Sequence, residues 1–369
     1  MSHWSAPLAE KGGRVAWRRV ALYYGIAFGL VSLLALGLWA AGASLFLGNA
    51  KLVFQLTIAF LYMPAPLIAA LVVERVARRG YLIARTFTDF GRTWWRILVY
   101  SAAAAIGVYV VDLALVYLLG NVAHVSLFGS LAMTQRQLFE NLSAAVGAGR
   151  LKPSALETMP PAWVLYLLGA LVAMPVGLTV NGLFAFGEEY GWRGVLMDEL
   201  RPLGPGRANL LTGVLWAFWH FPIILLGFDY ASRPVLGVLV MAVCLVPFSF
   251  LLWRSREFSG TVVTAAVVHG AFNGSAGFFY FFVTNRDPLL SAPLGLIGAA
   301  GMAIVAGVLW AVTRRHLYHG PADPLPGAEP PVRDTPAVVP GATPQELLAE
   351  TRPDDPDVGA DGTGLGELP

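Results

Sequence analysis

The sequence predicts an all-α protein, a polytopic membrane bundle of about eight transmembrane helices followed by a disordered tail. Three observations carry that prediction. Of 369 residues, 56% are hydrophobic and 13% charged, with mean hydropathy +0.63, whereas a water-exposed surface of this size needs far more charge. Several runs of about 20 apolar residues are each long enough to cross a ~30 Å hydrocarbon core. The alternating ten-residue segments of a transmembrane barrel do not occur.

Spans are expected at 20–47, 52–73, 97–119, 162–200, 208–228, 234–252, 260–283 and 292–313. Residues 1–19 form a basic segment in which Lys11, Arg14, Arg18 and Arg19 precede an apolar run too long for a signal-peptide core, so the first span reads as an anchor. Lysine and arginine orient the bundle. Seventeen fall at one end: the four above, six from Arg75 to Arg96, then Arg193, Arg201, Arg207, Arg254, Arg256, Arg314 and Arg315. Six fall at the other end: Lys51, Arg136, Arg150, Lys152, Arg233 and Arg286. Positive charge concentrates on the cytoplasmic side. The expected protein is therefore integral to the cell (plasma) membrane, with both termini cytoplasmic.

The fourth apolar region is too long for one straight span, since 162–200 would extend about 60 Å at 1.5 Å per residue. Pro175 is the expected kink or break, because proline removes a backbone hydrogen bond and crowds the preceding turn. Residues 121–160 read as an external loop with an interfacial helix around 131–146. The transmembrane domain is expected over 20–316. In 317–369, ten Asp or Glu stand against two Arg among many Pro and Gly, the composition of a disordered cytoplasmic tail. A single cysteine, Cys244, excludes an intrachain disulfide or a Cys-based metal site and reads as a packing residue.

Few polar side chains are expected inside the apolar layer: Asp112, Asn181, Glu188, Glu189, Arg193, His220, His269 and Asn273. An ionised group there costs roughly 2.5–3.5 kcal/mol even on lenient insertion scales, so something must offset it. Counting from the cytoplasmic boundary at 1.5 Å per residue puts Glu188 about 15 Å deep, His220 about 18 Å and His269 about 14 Å. Three separate helices thus bring an acid and two imidazoles to one level. Glu189 and Arg193 are i, i+4 neighbours and can pair, leaving Glu188 without that partner. His269 and Asn273 share the same spacing, and Trp216 lies one turn before His220. A carboxylate in such a pocket can act as base toward water, with His220 as its partner. His269 and Asn273 can donate to a developing oxyanion. Glu189 and Arg193 shape the site or grip substrate. Asp112 stays open between pairing with an arginine and lining the cavity, and Asn181 reads as a packing residue.

In this order, the glutamate pair Glu188–Glu189 with Arg193, the aromatic-x-x-x-His of Trp216–His220, and His269-x-x-x-Asn273 resemble the motifs of the CAAX-protease and bacteriocin-processing family. Those intramembrane glutamic endopeptidases include the prenyl-protein (CAAX) endopeptidase type II and bacterial self-immunity proteins. The resemblance covers about 160–290. One departure is Trp216, where the family usually carries Phe. The resemblance implies a peptide hydrolase with Glu188 as the water-activating residue, a cavity opening to the cytoplasm, and the same roles for the other matched positions.

The expected partners are membrane lipid and a membrane-tethered, possibly lipidated, protein or peptide, with no nucleic acid. No cofactor is required by this chemistry. The competing metal reading would hold zinc on Glu188, His220 and His269, although no His-Glu-x-x-His segment is present. Two further readings keep the fold without hydrolysis: a membrane scaffold or bacteriocin self-immunity protein, and a proton-coupled transporter.

Overall fold

The structure, a computed structural model, describes residues 14–43, 51–77, 83, 86–87, 90–147 and 150–317. The expected basic segment lies mostly outside the described residues, and the expected tail lies outside them beyond residue 317. The chain is helical almost throughout. α1 is Trp17–Ala40, α2 is Lys51–Thr57 running into a π-helical turn Ile58–Tyr62, and α3 is Ala65–Val76. α4 is Phe90–Val116, prolonged by a second π-helical turn Tyr117–Val122. The expected external loop holds α5, Gln135–Val146, which starts at a capping box: Thr134 accepts from the Gln137 backbone, and the Gln137 side chain accepts from Thr134 N. Ser130–Leu131 (β1) pairs antiparallel with Val283–Thr284 (β2) and ties this loop to the far end of the bundle.

α6, Ala162–Leu178, and α7, Val180–Glu189, form the long fourth region and meet at a bend of 59°. The bend falls at Thr179, four residues beyond the expected break at Pro175. The physical reason lies in the exposed carbonyl: Thr179 Oγ1 donates to Pro175 O at 2.7 Å, so the hydroxyl takes over a helical acceptor and the next helix starts in a new direction. A π-helix, Tyr190–Leu196, follows α7 directly and leads into α8, Met197–Leu200. Then come α9 (Pro205–Trp219), α10 (Phe221–Ile224), α11 (Pro234–Ser259), α12 (Val262–Ala276), α13 (Phe279–Phe282) and α14 (Leu296–Thr313).

Among the described residues, six helices are long and apolar enough to cross a membrane, and the bent α6–α7 pair makes a seventh. The eighth expected span, 208–228, takes a different form. α9 has 15 residues and stops at His220, whose successors Phe221 and Pro222 start a separate turn. Pro222 supplies no backbone N–H to continue the ladder. The chain still passes from one end of the bundle to the other through α9 and α10, because α9 begins beside Arg201 and α11 begins at Pro234, the end remote from Arg254. The break therefore leaves His220 at the middle of the protein instead of within a continuous helix.

Close approach of α7 to α12 sets the centre. A Cβ added at Gly270 would lie 2.4 Å from Gly182 N, so these helices touch backbone to backbone. Small residues at membrane helix contacts allow this where larger ones would hold the axes apart. The contact fixes α12 against the glutamate-bearing end of α7 and brings His269 to the acids.

Candidate active site

Burial of the acids is nearly total: Glu188 is 3% exposed, while Glu189 and Arg193 are 0% exposed. Arg193 Nη1 donates to Glu189 Oε1 at 3.0 Å, as the i, i+4 spacing predicts. His269 Nδ1 donates to the same oxygen at 2.8 Å. Glu189 is therefore held from two helices. Arg193 also lies over the Trp216 ring, with its Cζ 4.1 Å from the centroid, a cation–π contact in a dry setting. Its carbonyl accepts from Arg256 Nη1, and Arg256 Nη2 pairs with Asp198 at 2.9 Å. The π-helical geometry shifts the usual carbonyl partners, and a buried guanidinium from α11 supplies one of them.

Glu188 has a different partner. Trp216 Nε1 donates to Glu188 Oε2 at 2.9 Å. Two acids face one arginine, so one carboxylate exceeds what Arg193 can neutralise. The indole of Trp216 and the imidazole of His269 are the further donors that meet this excess. That answers how the apolar layer tolerates the cluster.

His220 Nδ1 lies 2.9 Å from Trp216 O. A carbonyl only accepts, so Nδ1 carries the hydrogen and Nε2 of the neutral ring keeps its lone pair. His220 and His269 flank Trp216, with ring centroids at 5.9 and 5.2 Å. Tyr62 supports the far side, donating to Trp219 O at 2.5 Å and packing on that indole.

Glu188, Trp216, His220, His269 and Asn273 line one cavity of about 450 Å³. Asn273 is exposed within it, one turn from His269. Glu189 and Arg193 are not among its lining residues and stand behind it. The wall is otherwise largely apolar, including Met241, Leu245, Phe248 and Phe272. Asp229 and Arg286 also line it. Partial removal from water pushes the Asp229 carboxyl up to about 7, and the Arg286 charge opposes that rise.

The expected pairing of Glu188 with His220 is not a direct hydrogen bond among the described contacts: Glu188 turns to Trp216, and His220 to the Trp216 carbonyl. His269, expected as an oxyanion donor with Asn273, is also the anchor of Glu189. Spacing placed Trp216 one turn before His220 but did not reveal its N–H as a donor, although Trp in place of the family's usual Phe was the available signal. It also missed Glu74, which accepts from Tyr190 at 2.7 Å beneath the π-helix, and the buried Arg256. Asp112 realises neither open alternative. It is 0% exposed, outside the cavity lining, and packed where a Cβ at Gly301 would meet Oδ1 at 1.9 Å. Asn181 is half-buried against Gly274 of α12, and Cys244 is a buried packing residue whose Sγ contacts Leu294 O.

No three His, Cys, Asp or Glu side chains among the described residues are grouped as a metal site requires. One carboxyl oxygen of Glu188 and the Nδ1 atoms of both histidines already have protein partners.

The lining residues of α11 and α12 lie away from the Ser259–Val262 junction, where the arginine-rich end is.

Trp216→Phe tests the indole contact, because it restores the more usual aromatic while deleting one donor to a carboxylate. Hydrogen bonds to charged groups contribute about 1.5–3 kcal/mol. Stability is expected to fall by about that amount, read from denaturant unfolding of the detergent-solubilised protein. An unchanged unfolding midpoint would show that the indole donor contributes nothing to holding Glu188.

A family model for type II CAAX prenyl endopeptidase Rce1-like proteins matches residues 160–275, a segment holding every candidate site residue named above. The curated CAAX prenyl protease 2 of Methanococcus maripaludis is 25% identical over 154 residues, covering 33% of this chain. The match spans 57% of that relative's length. No solved structure matches. Through residues 160–275, this integral membrane protein is similar to the Rce1-like type II CAAX prenyl endopeptidases.

Proposed function

We propose that the chain is an intramembrane endopeptidase that hydrolyses a peptide bond of a membrane-tethered protein or peptide with water activated by Glu188. The observation that carries this reading is the convergence of Glu188, His220, His269 and Asn273 on one cavity inside the helical bundle. Glu188 accepts a proton as the water oxygen attacks the scissile carbonyl carbon. The carbonyl oxygen becomes the oxyanion of a tetrahedral intermediate. Asn273 Nδ2–H and a protonated His269 Nε2–H donate to it, with Glu189 as the counter-ion of that imidazolium. His220 Nε2 orients the water. Glu188 then returns its proton to the departing amine nitrogen, the C–N bond breaks, and a carboxylic acid and an amine leave.

The Glu189–Arg193 pair does not touch the cavity and serves to orient His269 and seat Trp216. The protein works in the cell membrane, with the start of α1 and the end of α14 on the cytoplasmic side. The experiment is comparative terminal-peptide proteomics of membranes from cells carrying wild-type protein or Glu188→Ala. New termini present only with the wild type support the reading and name the substrate. Identical terminus sets at equal expression would refute it.

A further inference from the structure

We infer that the cavity takes its substrate from the outer, non-cytoplasmic side of the membrane, so that the substrates are exported or outward-anchored polypeptides. This rests on the endopeptidase reading for the word substrate, while the orientation of the cavity stands on its own observations.

Contacts of four arginines gather one end of the bundle. Arg19 at the start of α1 pairs with Glu199 at 2.9 Å. Arg96 near the start of α4 donates to Phe258 O at 2.7 Å and His316 O at 3.1 Å. Arg254 of α11 donates to Thr313 at the end of α14 at 2.9 Å, and Arg256 pairs with Asp198. The start of α1, the segment after the π-helix, and the ends of α11 and α14 therefore share one face. The segments that flank that end hold the seventeen lysines and arginines counted in the sequence, against six for the opposite end. Leaving out Arg193, which is buried in the site, does not change the sign of this bias. Such asymmetry puts the arginine face in the cytoplasm.

The cavity lies toward the other face. α11 and α12 meet at the arginine face through Ser259 and Val262. The cavity is lined by Met241, Leu245 and Phe248 from the remote part of α11, and by residues from His269 to Ala276 in the remote half of α12. It continues to Asp229, Tyr280 and Arg286, which belong to the connections at that end. Asn273 and Gly277 are exposed along it, and Tyr280 is 45% exposed. At the arginine face, by contrast, Arg254 and Arg256 are 3% and 2% exposed, Arg254 bonded to Thr313 and Arg256 to a carbonyl of the π-helix. A polypeptide reaching Glu188 thus comes past Asp229 and Arg286, with an apolar group entering between Leu245 and Phe272 and its polar chain remaining at the outer surface. A substrate tethered to the cytoplasmic leaflet would have to cross the closed end.

Cysteine accessibility in intact cells tests this without reading cleavage. Native Cys244 is fully buried, so reporters can be added to the full chain. A Cβ at Gly277 or at Gly206 meets nothing within 4 Å, and both positions are exposed. Gly277→Cys reports the cavity, Ser232→Cys reports the exposed loop at the same end, and Gly206→Cys reports the arginine face. A membrane-impermeant maleimide is expected to label Gly277→Cys and Ser232→Cys in intact cells about tenfold more than Gly206→Cys, which should react only after permeabilisation. If Gly277→Cys is shielded, Ser232→Cys still reports that end. The reverse pattern, with Ser232→Cys protected in intact cells, overturns the inference and leaves the endopeptidase reading standing. Conversely, proteomics without any Glu188-dependent terminus removes the enzyme but not the orientation. Glu188-dependent termini confined to cytoplasmic proteins would overturn the substrate class.

Discussion

Glu188→Gln should lower peptide-bond cleavage by about a thousandfold while the protein folds and extracts normally. General bases contribute roughly 10²–10⁴-fold to enzymatic rates, and the position here favours the middle of that range or more. Glutamine keeps the shape of glutamate, and its amide oxygen can still accept from Trp216 Nε1, so the 2.9 Å contact has a substitute. What disappears is the group that takes a proton from water. The change also removes one of two negative charges beside a single arginine, so folding stability should hold or rise. Cleavage of a substrate named by terminal proteomics, together with denaturant unfolding of the detergent-solubilised protein, separates the two effects. A glutamine variant cleaving within about threefold of wild type would show that Glu188 is not the base.

Much of the bundle was legible because hydropathy alone specifies it. The spans beginning near Trp17, Thr93, Pro234, Val262 and Leu296 follow from long apolar runs, which need no knowledge of packing. The Glu189–Arg193 contact was legible too, because i, i+4 neighbours still meet here although Tyr190–Leu196 is π-helical. Other features depend on interactions between segments. Hydropathy cannot see that α9 stops at His220, since Phe221–Leu226 stays apolar across the break. It likewise places the bend at the proline, whereas the Thr179 hydroxyl decides where the helix restarts.

The site divides in the same way. Depth counting brought Glu188, His220 and His269 to one level, and the three line one cavity. Which acid each donor would meet was not accessible from spacing within one helix. His269 reaches Glu189 only because α7 and α12 approach at Gly182 and Gly270, a contact made by two residues without side chains. Trp216 reaches Glu188 from a third helix. Periodicity gives the face of a helix, not the rotation of its neighbour. The direction of the cavity was equally hidden, since it depends on which halves of α11 and α12 part from each other.

Arg193→Leu is expected to be the most destabilising single change in the site. Breaking a buried ion pair by removing one partner costs about 3–5 kcal/mol, because the remaining charge loses its compensation. Here Glu189 would keep His269 alone, at 2.8 Å, and Trp216 would lose the guanidinium lying 4.1 Å from its centroid. The loss should appear as a lower unfolding midpoint in denaturant, read on detergent-solubilised protein. A second substitution distinguishes charge from packing. Adding Glu189→Gln to Arg193→Leu removes the stranded carboxylate, so the double variant should regain at least about 1 kcal/mol over Arg193→Leu alone, a coupling within the range seen for contacting residues. If packing over Trp216 dominates instead, the second change brings no recovery, and Arg193→Lys, which keeps the charge but not the planar stacking, should behave like leucine. A charge-dominated pair predicts that lysine retains part of the stability and that the double variant recovers. Absence of any coupling between the two positions would mean that Glu189 is neutralised chiefly by His269, and that Arg193 is not the group that makes the second glutamate tolerable inside the membrane.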